Sequence, residues 1–173
     1  MTSREQWLDL SLDGLDAARA DRVRAFRVLM VVGIRLRGLL DRALAPSGLT
    51  AQQGAMASWI EAQPAPPTIS AVAAGLGMTH QNVKQIALAL ERKGLVDIQV
   101  DPDDRRARRL VLTEAHGEFW GRRNPHDLAA VQDWMAVWTE DEVSEALNLL
   151  LRLHHHLASQ DPRASQGLHA WQD

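Results

Sequence analysis

The chain has 173 residues, no cysteine and a formal net charge of −3, and 46% of its residues are hydrophobic. This length predicts one domain with enough apolar side chains to bury a core. The absence of cysteine excludes disulfide bonds, cysteine–zinc sites and thiol-based oxidation sensing.

The first twenty residues are acidic and contain a few apolar side chains around Trp7. They form either a short helix docked on a partner surface or a frayed terminus, and the sequence leaves both readings open. No apolar run here has the length of a signal-peptide core, and the later run Val28–Val32 is far too short for a membrane span. We therefore expect a cytoplasmic protein without membrane contact.

A long helix is predicted over Asp21–Leu44. Its apolar residues surround most of the helix instead of forming one stripe. Such a helix is buried on several sides, as expected if it packs both on its own domain and on a second subunit. After it, the capping-box match Thr50-x-x-Gln53 opens a helix to Ala62, and a proline-rich loop follows.

A helix-turn-helix pattern begins at Thr68, which can cap a short helix over Ile69–Ala74. Gly75-Leu76-Gly77 stops this helix, because glycine adopts turn dihedral angles at little cost. Thr79 then caps a second helix over His80–Arg92 by accepting a hydrogen bond from an N–H one turn further on. The apolar stripe of this second helix consists of Val83, Ile86, Ala87 and Leu90.

A β-hairpin is predicted after Gly94, and we call residues 95–112 the wing. Alternating residues run from Leu95 to Val100, Asp101-Pro102-Asp103-Asp104 is a strong turn signal, and Arg108–Leu112 runs back. The basic residues at and after the tip are Arg105, Arg106, Arg108 and Arg109. A helix-turn-helix followed by a basic hairpin is typical of a protein that reads the major groove with the helix and the minor groove with the hairpin.

The net negative charge does not oppose this reading, because the charges are unevenly distributed along the sequence. Residues 21–45 hold six Arg and two Asp, and residues 79–113 hold seven basic and five acidic side chains. Residues 114–173 hold four Arg and ten acidic side chains. Since local potential governs phosphate contact, a basic face can lie on an acidic body.

The same stretch resembles the MarR (multiple antibiotic resistance regulator) family of winged-helix transcription factors. The matching motifs are Leu76-Gly-Met-Thr79, Leu90-Glu-Arg-Lys-Gly-Leu-Val96, and Asp101-Pro-Asp-Asp-Arg-Arg106 before Leu110-Val-Leu-Thr113. The resemblance covers Thr50–Thr113, and the flanking helices match only in length and apolar pattern. It implies a dimeric DNA-binding repressor or activator that is relieved by small molecules, oxidants or metal ions.

We predict that the polar face of the second helix contacts DNA, and the alternative is a solvated surface. Gln81 and Asn82 lie near its N-terminus, and their amides suit an adenine edge. Lys84 reaches a guanine or a phosphate, and His80 lies near the cap, within reach of phosphate. The full set of candidates on this helix is Thr79, His80, Gln81, Asn82, Lys84 and Gln85.

In the wing, the resemblance aligns Asp104 and Arg106 with the family's Asp-x-Arg pair, in which the aspartate orients the arginine for the minor groove. Arg105, Arg108 and Arg109 are then candidates for phosphate contacts. Arg108 and Arg109 point to opposite faces of a strand, so at most one of the two faces DNA. The alternative for the tip is a solvated turn.

The C-terminal third is predicted to be helical. Thr113 caps a helix through about Arg122, and Asn124-Pro125 breaks or kinks it and starts a segment to about Val137. The capping box Thr139-x-x-Glu142 opens a final Leu-rich helix to about Ser159. A polar tail containing Trp171 follows.

Other candidate sites are weaker. Trp59 and Trp120 lie on segments that flank a cleft in MarR-like folds, so they either stack on a planar effector or pack in the core. Consecutive helical residues point about 100° apart, so the run His154–His156 does not hold one ion, and we assign no metal site and no cofactor. The sequence has no Gly-rich phosphate loop and no HExxH or GxSxG motif, which argues against an enzyme.

The predicted fold is mainly α with a small β-wing. Residues 1–45 form an N-terminal segment and a long dimerisation helix, 46–113 the winged helix-turn-helix, 114–160 the C-terminal dimerisation helices and 161–173 a tail. The predicted function is that of a homodimeric regulator, a repressor, that binds double-stranded DNA at an inverted repeat and responds to a small-molecule effector. The alternatives are a winged-helix module that binds only protein, and a metal-responsive regulator that uses the His-rich final helix.

Overall fold

The computed structural model describes residues 3–160, so the predicted tail and Trp171 lie outside the described residues. The chain divides after Ala51 into two compact units. The elements within the described range confirm the prediction of a mainly α fold with one small antiparallel hairpin.

The first unit is built around the helix α1 (Ala17–Leu44), with 3-10 helices at Ser3–Asp9 and Ala45–Ser47. Helix α1 begins four residues before the predicted start, because the side chain of Asp16 accepts a hydrogen bond from the N–H of Arg19 at 2.9 Å. The preceding segment is held on α1 itself: Arg24 Nε donates to Asp9 at 2.7 Å, and Arg27 donates to the Leu8 carbonyl at 2.7 Å. The N-terminal segment therefore contacts its own chain.

Most apolar side chains of α1 are exposed in the single chain, and only Ala20 and Leu44 are buried. Phe26 is 62% exposed and Ile34 is 67% exposed. Exposed apolar area of this extent is unfavourable in water and usually marks a binding surface.

In the second unit, helices α2 (Ala51–Glu61), α3 (Ile69–Gly75) and α4 (His80–Glu91) precede the wing. The predicted caps are confirmed: the hydroxyl of Thr68 accepts from the N–H of Ala71 at 3.1 Å, and that of Thr79 from the N–H of Asn82 at 3.2 Å. Gly77 has a φ of 61° and makes the turn between α3 and α4, a conformation that glycine adopts without steric cost. The largest fully buried side chains of this core are Met56, Val72, Val83, Leu90, Val96 and Leu110.

The predicted hairpin is confirmed as strands β1 (Val96–Val100) and β2 (Arg108–Leu112), which pair antiparallel with Ile98 opposite Leu110. The second edge of β2 is also paired, since the N–H of Leu110 donates to the carbonyl of Pro67 at 2.9 Å. An isolated bridge joins Thr68 to Arg109. The wing is therefore hydrogen-bonded to the residues that open α3.

Of the break or kink predicted at Pro125, the break is wrong, because one continuous helix, α5 (Glu114–Met135), contains this residue. Proline removes one N–H, but the remaining helical hydrogen bonds tolerate this single loss. Arg123 and Asp127 join the turns on either side of Pro125, with Nη2 to Oδ1 at 2.8 Å and Nε to Oδ2 at 3.1 Å. The prediction weighed proline alone and missed this bidentate pair.

The predicted capping box of the last helix, α6 (Glu140–Gln160), is confirmed. The N–H of Thr139 donates to Glu142 at 2.8 Å, and the N–H of Glu142 donates to the Thr139 hydroxyl at 3.3 Å. None of the side chains of α6 is buried in the single chain, including those of its leucines. Like α1, this helix presents an apolar face that its own unit does not cover.

Replacing Gly75 with alanine should destabilise the protein, although alanine favours helices. A Cβ at Gly75 would lie far inside van der Waals contact with the indole ring of Trp59. We expect Gly75→Ala to lower the free energy of unfolding by about 1–3 kcal/mol through this overpacking. The matched control is Gly121→Ala in α5, where no atom lies within 4 Å of the added Cβ. It should raise stability by about 0.5–1 kcal/mol. Urea unfolding curves that shift in the same direction for both variants would contradict this packing.

Candidate nucleic-acid interface

The exposed face of α4 carries most of the side chains predicted to contact DNA. His80, Gln81, Lys84 and Gln85 are exposed and line one shallow surface depression together with Leu88. The opposite face packs in the core, where Val83, Ile86, Ala87 and Leu90 are buried. The division of α4 into a polar face and an apolar face follows from the helical period. When the apolar stripe is buried, the polar residues point outward.

Two members of the predicted set have different positions. The hydroxyl of Thr79 caps α4, so it organises the first turn of the helix. Asn82 is half-buried beside the exposed face, whereas Gln81 is fully on it. The amide of Gln81 is therefore better placed than that of Asn82 to reach a ligand in front of the helix.

The structure brings α4 and the wing together around a second depression. Three elements form its walls: the start of α3, the exposed face of α4, and both strands and the tip of the wing. The charged side chains along it are Lys84, Asp104, Arg106 and Arg108, and the imidazole of His80 also lines it. Arg105 is exposed at the tip but does not line this depression.

The wing turn is organised by a buried carboxylate that the sequence analysis did not single out. Asp101 is only 4% exposed, and its Oδ1 accepts from the N–H groups of Asp103 at 2.8 Å and Asp104 at 3.1 Å. Its Oδ2 pairs with Arg109, and this hydrogen bond is the main cause that lowers the pKa of Asp101. Two acceptor oxygens thus hold the turn and the return strand together.

Arg109, a predicted candidate for phosphate contact, is engaged inside the wing. Besides the pair with Asp101, its Nη2 lies 3.3 Å from Asp103. The Asp-Pro-Asp turn signal was visible in the sequence, but the choice of Arg109 over Arg108 as the partner depends on which strand face points toward Asp101. Of the two arginines, Arg108 is the exposed one.

Asp104 acts on Arg106 through the backbone. Its Oδ1 accepts from the N–H of Arg106 at 2.9 Å, which fixes the chain at the tip, and both side chains are exposed. Arg108 is held along the strand, where its guanidinium donates to the carbonyls of Arg105 at 3.1 Å and Ala107 at 3.0 Å. The tip therefore presents the guanidinium of Arg106 from an ordered turn.

The two tryptophans of the suggested effector pocket have different surroundings. Trp59 is buried, and its ring lies against Gly75. This position agrees with the second of its two predicted roles, packing in the core. Trp120 is half-buried and packs edge-to-face on Phe119, with the ring centroids 5.1 Å apart. The structure gives Trp59 a packing role and leaves Trp120 at the edge of the core.

His116, one helical turn before Trp120, is a buried polar residue that the sequence analysis missed. It is 2% exposed, and its Nε2 and the Nε1 of Trp120 have no hydrogen-bond partner within residues 3–160. Such atoms are rare in folded proteins, because a buried polar group without a partner is costly. The histidine next to the Thr113 cap gave no signal of burial in the sequence.

The His-rich run of α6 does not gather around a common point. The rings of His154 and His155 are 5.7 Å apart and tilted by 53°, and His156 contacts Gln160 at 2.9 Å. Among the described residues, no three side chains of His, Asp or Glu are arranged to hold a metal ion. In the same range, no helix combines the length and apolar character that crossing a membrane requires.

Asp101→Asn should loosen the wing selectively. The amide keeps the size of the side chain but removes the charge that pairs with Arg109 and one of the two acceptor oxygens. We expect faster amide hydrogen exchange in the wing turn, including the N–H groups of Asp103 and Asp104, with α4 unchanged. Asp97→Asn is the matched control, because Asp97 is an exposed carboxylate on β1. Equal exchange in the two variants would mean that Asp101 does not organise the turn.

Acid should destabilise the fold through His116. Burial is the main cause that lowers its pKa below 6.5, and Glu61 acts weakly in the opposite direction. The unfolded chain therefore binds this proton at higher pH than the folded chain, and the free energy of unfolding falls as pH drops below about 6.5. Urea unfolding at about pH 7.5 and 5.5 should show this loss, and His116→Gln should reduce it. The control is His126→Gln, which replaces an exposed histidine on the same helix and should not change the loss of stability at low pH. If His116→Gln also leaves that loss unchanged, another group causes the acid destabilisation.

Comparison with known proteins agrees with this geometry. Residues 47–107 match the sequence model of the MarR family. A search of curated protein sequences finds no match to this chain.

Solved structures of similar fold cover most of the chain. AbsC, a MarR family transcriptional regulator from Streptomyces coelicolor, is 23% identical, with a TM-score of 0.69 over 79% of this chain and 93% of its own. MepR of S. aureus, in a complex with DNA, is 20% identical, with a TM-score of 0.68 over 76% and 96%. CouR from Rhodococcus jostii RHA1, bound to p-coumaroyl-CoA, is 20% identical, with a TM-score of 0.65 over 73% and 88%.

At these identities the structural likeness concerns the fold. The helix-turn-helix and wing described above lie largely within the residues that the family model matches. The resemblance seen in the sequence is confirmed for residues 47–107, which match the MarR family model, and the fold is similar to that of solved MarR family regulators.

Proposed function

We propose that this chain is a sequence-specific regulator of transcription that binds double-stranded DNA. The observation that carries the proposal is the depression between α4 and the wing, which Lys84, Arg106 and Arg108 line, together with the exposed amides on the same helix. Cationic side chains on α4 and on the wing suit a phosphate backbone, and a helix that projects amides suits the donor and acceptor pattern of the major groove. MepR was solved in complex with DNA, which supports the same use of the same fold.

Within this proposal, Gln81 reads a base edge, assisted by Asn82 and Gln85, and Arg106 enters the adjacent minor groove. His80, Lys84, Arg105 and Arg108 contact phosphates, and Thr79 sets the direction of the helix by capping it. The narrow minor groove of A·T-rich DNA has the most negative potential, so an arginine at an ordered hairpin tip fits there. The overall charge of −3 does not oppose binding, because the contacts depend on this local group of cations.

The regulator acts as a homodimer on an inverted repeat. Helices α1 and α6 each leave an apolar surface uncovered by their own unit, and a second copy provides the same surfaces by symmetry. Two recognition helices related by a two-fold axis meet successive major grooves on one side of the duplex. Repression follows in the simplest case, since a dimer that covers promoter DNA excludes other proteins from it.

An effector that lowers the affinity for DNA is the remaining part of the proposal. The polar atoms His116 Nε2 and Trp120 Nε1 are buried and have no hydrogen-bond partner among the described residues, and they offer hydrogen bonds to a ligand that reaches the edge of the core. CouR was solved with p-coumaroyl-CoA, an aromatic thioester, bound to this fold. We propose Trp120 as the aromatic wall of such a site, and Trp59 as the ring that supports it from within the core.

The test is selection of bound duplexes from a random pool with the full chain. The enriched sequences should form an inverted repeat whose half-site centres are about 10 base pairs apart, or a multiple of that. Gln81→Ala should cost about 1–3 kcal/mol on this site and relax preference at one base pair per half-site. Arg106→Ala should weaken binding most where the minor groove is narrow. The matched control is Arg122→Ala, which removes an exposed arginine from α5.

Each alternative gives a different outcome. A protein-interaction module would enrich no duplex, and its wing arginines would be dispensable. A single half-site, together with a monomer in sedimentation at micromolar concentration, would contradict the homodimer but not DNA binding. A metal-responsive regulator would change its affinity for the selected duplex when a divalent cation is added, and the effect would disappear when His154–His156 are replaced.

A further inference from the structure

Leu88 is an exposed apolar residue in the middle of a polar surface. It is 41% exposed, whereas Val83 and Leu90 on the same helix are fully buried. It lies seven residues after Gln81, so the two side chains are on the same face of α4, two turns apart. The helical period that buries the apolar stripe therefore does not account for Leu88.

The surroundings of Leu88 combine an apolar patch with flanking cations. It lines the depression between α4 and the wing beside Ile98, and it also lines the adjoining depressions on α4. Lys84 and Arg92 lie one helical turn before and after it, and Arg92 Nε donates to the Leu88 carbonyl at 3.3 Å. An apolar contact point is thus placed between side chains suited to phosphates.

The 5-methyl group of thymine is the one apolar substituent that the four bases present on their major-groove edges. We propose that Leu88 contacts a thymine methyl group and so specifies an A·T pair in each half-site. This inference rests on the proposed function and adds a base contact of a different kind, apolar where the amides of α4 are polar. Seven residues of helix span about 10 Å, so this thymine lies within about three base pairs of the base read by Gln81.

The test uses the full chain and the duplex obtained by selection. Deoxyuridine replaces each thymine of both half-sites in turn, which removes only the methyl group, and dissociation constants are measured by fluorescence anisotropy at one salt concentration. At one thymine position in each half-site, replacement by deoxyuridine should weaken binding of the parent protein. The expected loss is about three- to fivefold for each half-site substituted, as expected for one buried methyl group. Leu88→Ala should weaken binding to the thymine duplex and abolish the effect of deoxyuridine at that position.

Two further variants separate base reading from folding. Leu88→Met keeps an apolar side chain of similar size and should retain sensitivity to deoxyuridine at the same position. Gln85→Ala, on the adjacent part of the same face, should weaken binding to both duplexes by the same factor and so retain the sensitivity to deoxyuridine. If Leu88→Ala stays as sensitive to deoxyuridine as the parent, or if no thymine position matters, the inference is overturned while the regulator model stands. If no duplex is enriched at all, both fail.

A packing role for Leu88 against Ile98 predicts a different result. In that case Leu88→Ala would lower the melting temperature and weaken binding to thymine and deoxyuridine duplexes by the same factor. That result would also overturn the inference, because the effects of removing the methyl group and of shortening the Leu88 side chain would then be independent of each other.

Discussion

Strand β2 is hydrogen-bonded on both of its edges, and this double pairing holds the helix-turn-helix and the wing in one arrangement. On one side it pairs with β1, and on the other the N–H of Leu110 donates to Pro67, the residue before the α3 cap. Thr113, just after β2, donates its hydroxyl to the carbonyl of Gly94 at 2.6 Å and also caps α5. The end of α4 and the starts of α3 and α5 therefore all depend on one short strand.

Local signals in the sequence predicted most of this fold, because the rules that govern helix starts act over only a few residues. Thr68, Thr79, Thr113 and Thr139 were each expected to cap a helix, and each hydroxyl accepts the N–H three residues on. The same reasoning failed at Pro125, because a single unfavourable residue was weighed without the Arg123–Asp127 pair. Sequence signals within four residues therefore predict where a helix begins more reliably than they predict whether it continues past an unfavourable residue.

The candidate interface was predicted in outline and not in its contacts. The polar face of α4 follows from the helical period, and the basic tip of the wing follows from composition and resemblance. The pairing of Asp101 with Arg109 depends on three-dimensional proximity across the turn, and the burial of His116 depends on packing against residues distant in sequence. Likewise, the polar and apolar pattern of α4 identified its buried stripe, but it gave no reason to expect Leu88 outside it.

The ion pair inside the wing changes how the arginines of this region should be counted. Four arginines lie between residues 105 and 109, yet Arg109 is already balanced by Asp101 and Asp103. Ions condensed on a nucleic acid are released only by charges that are free to replace them. Under the proposed function, Arg109 makes the wing firm without making binding more sensitive to salt. The stiffness of the hairpin and its electrostatic reach are thus carried by different arginines.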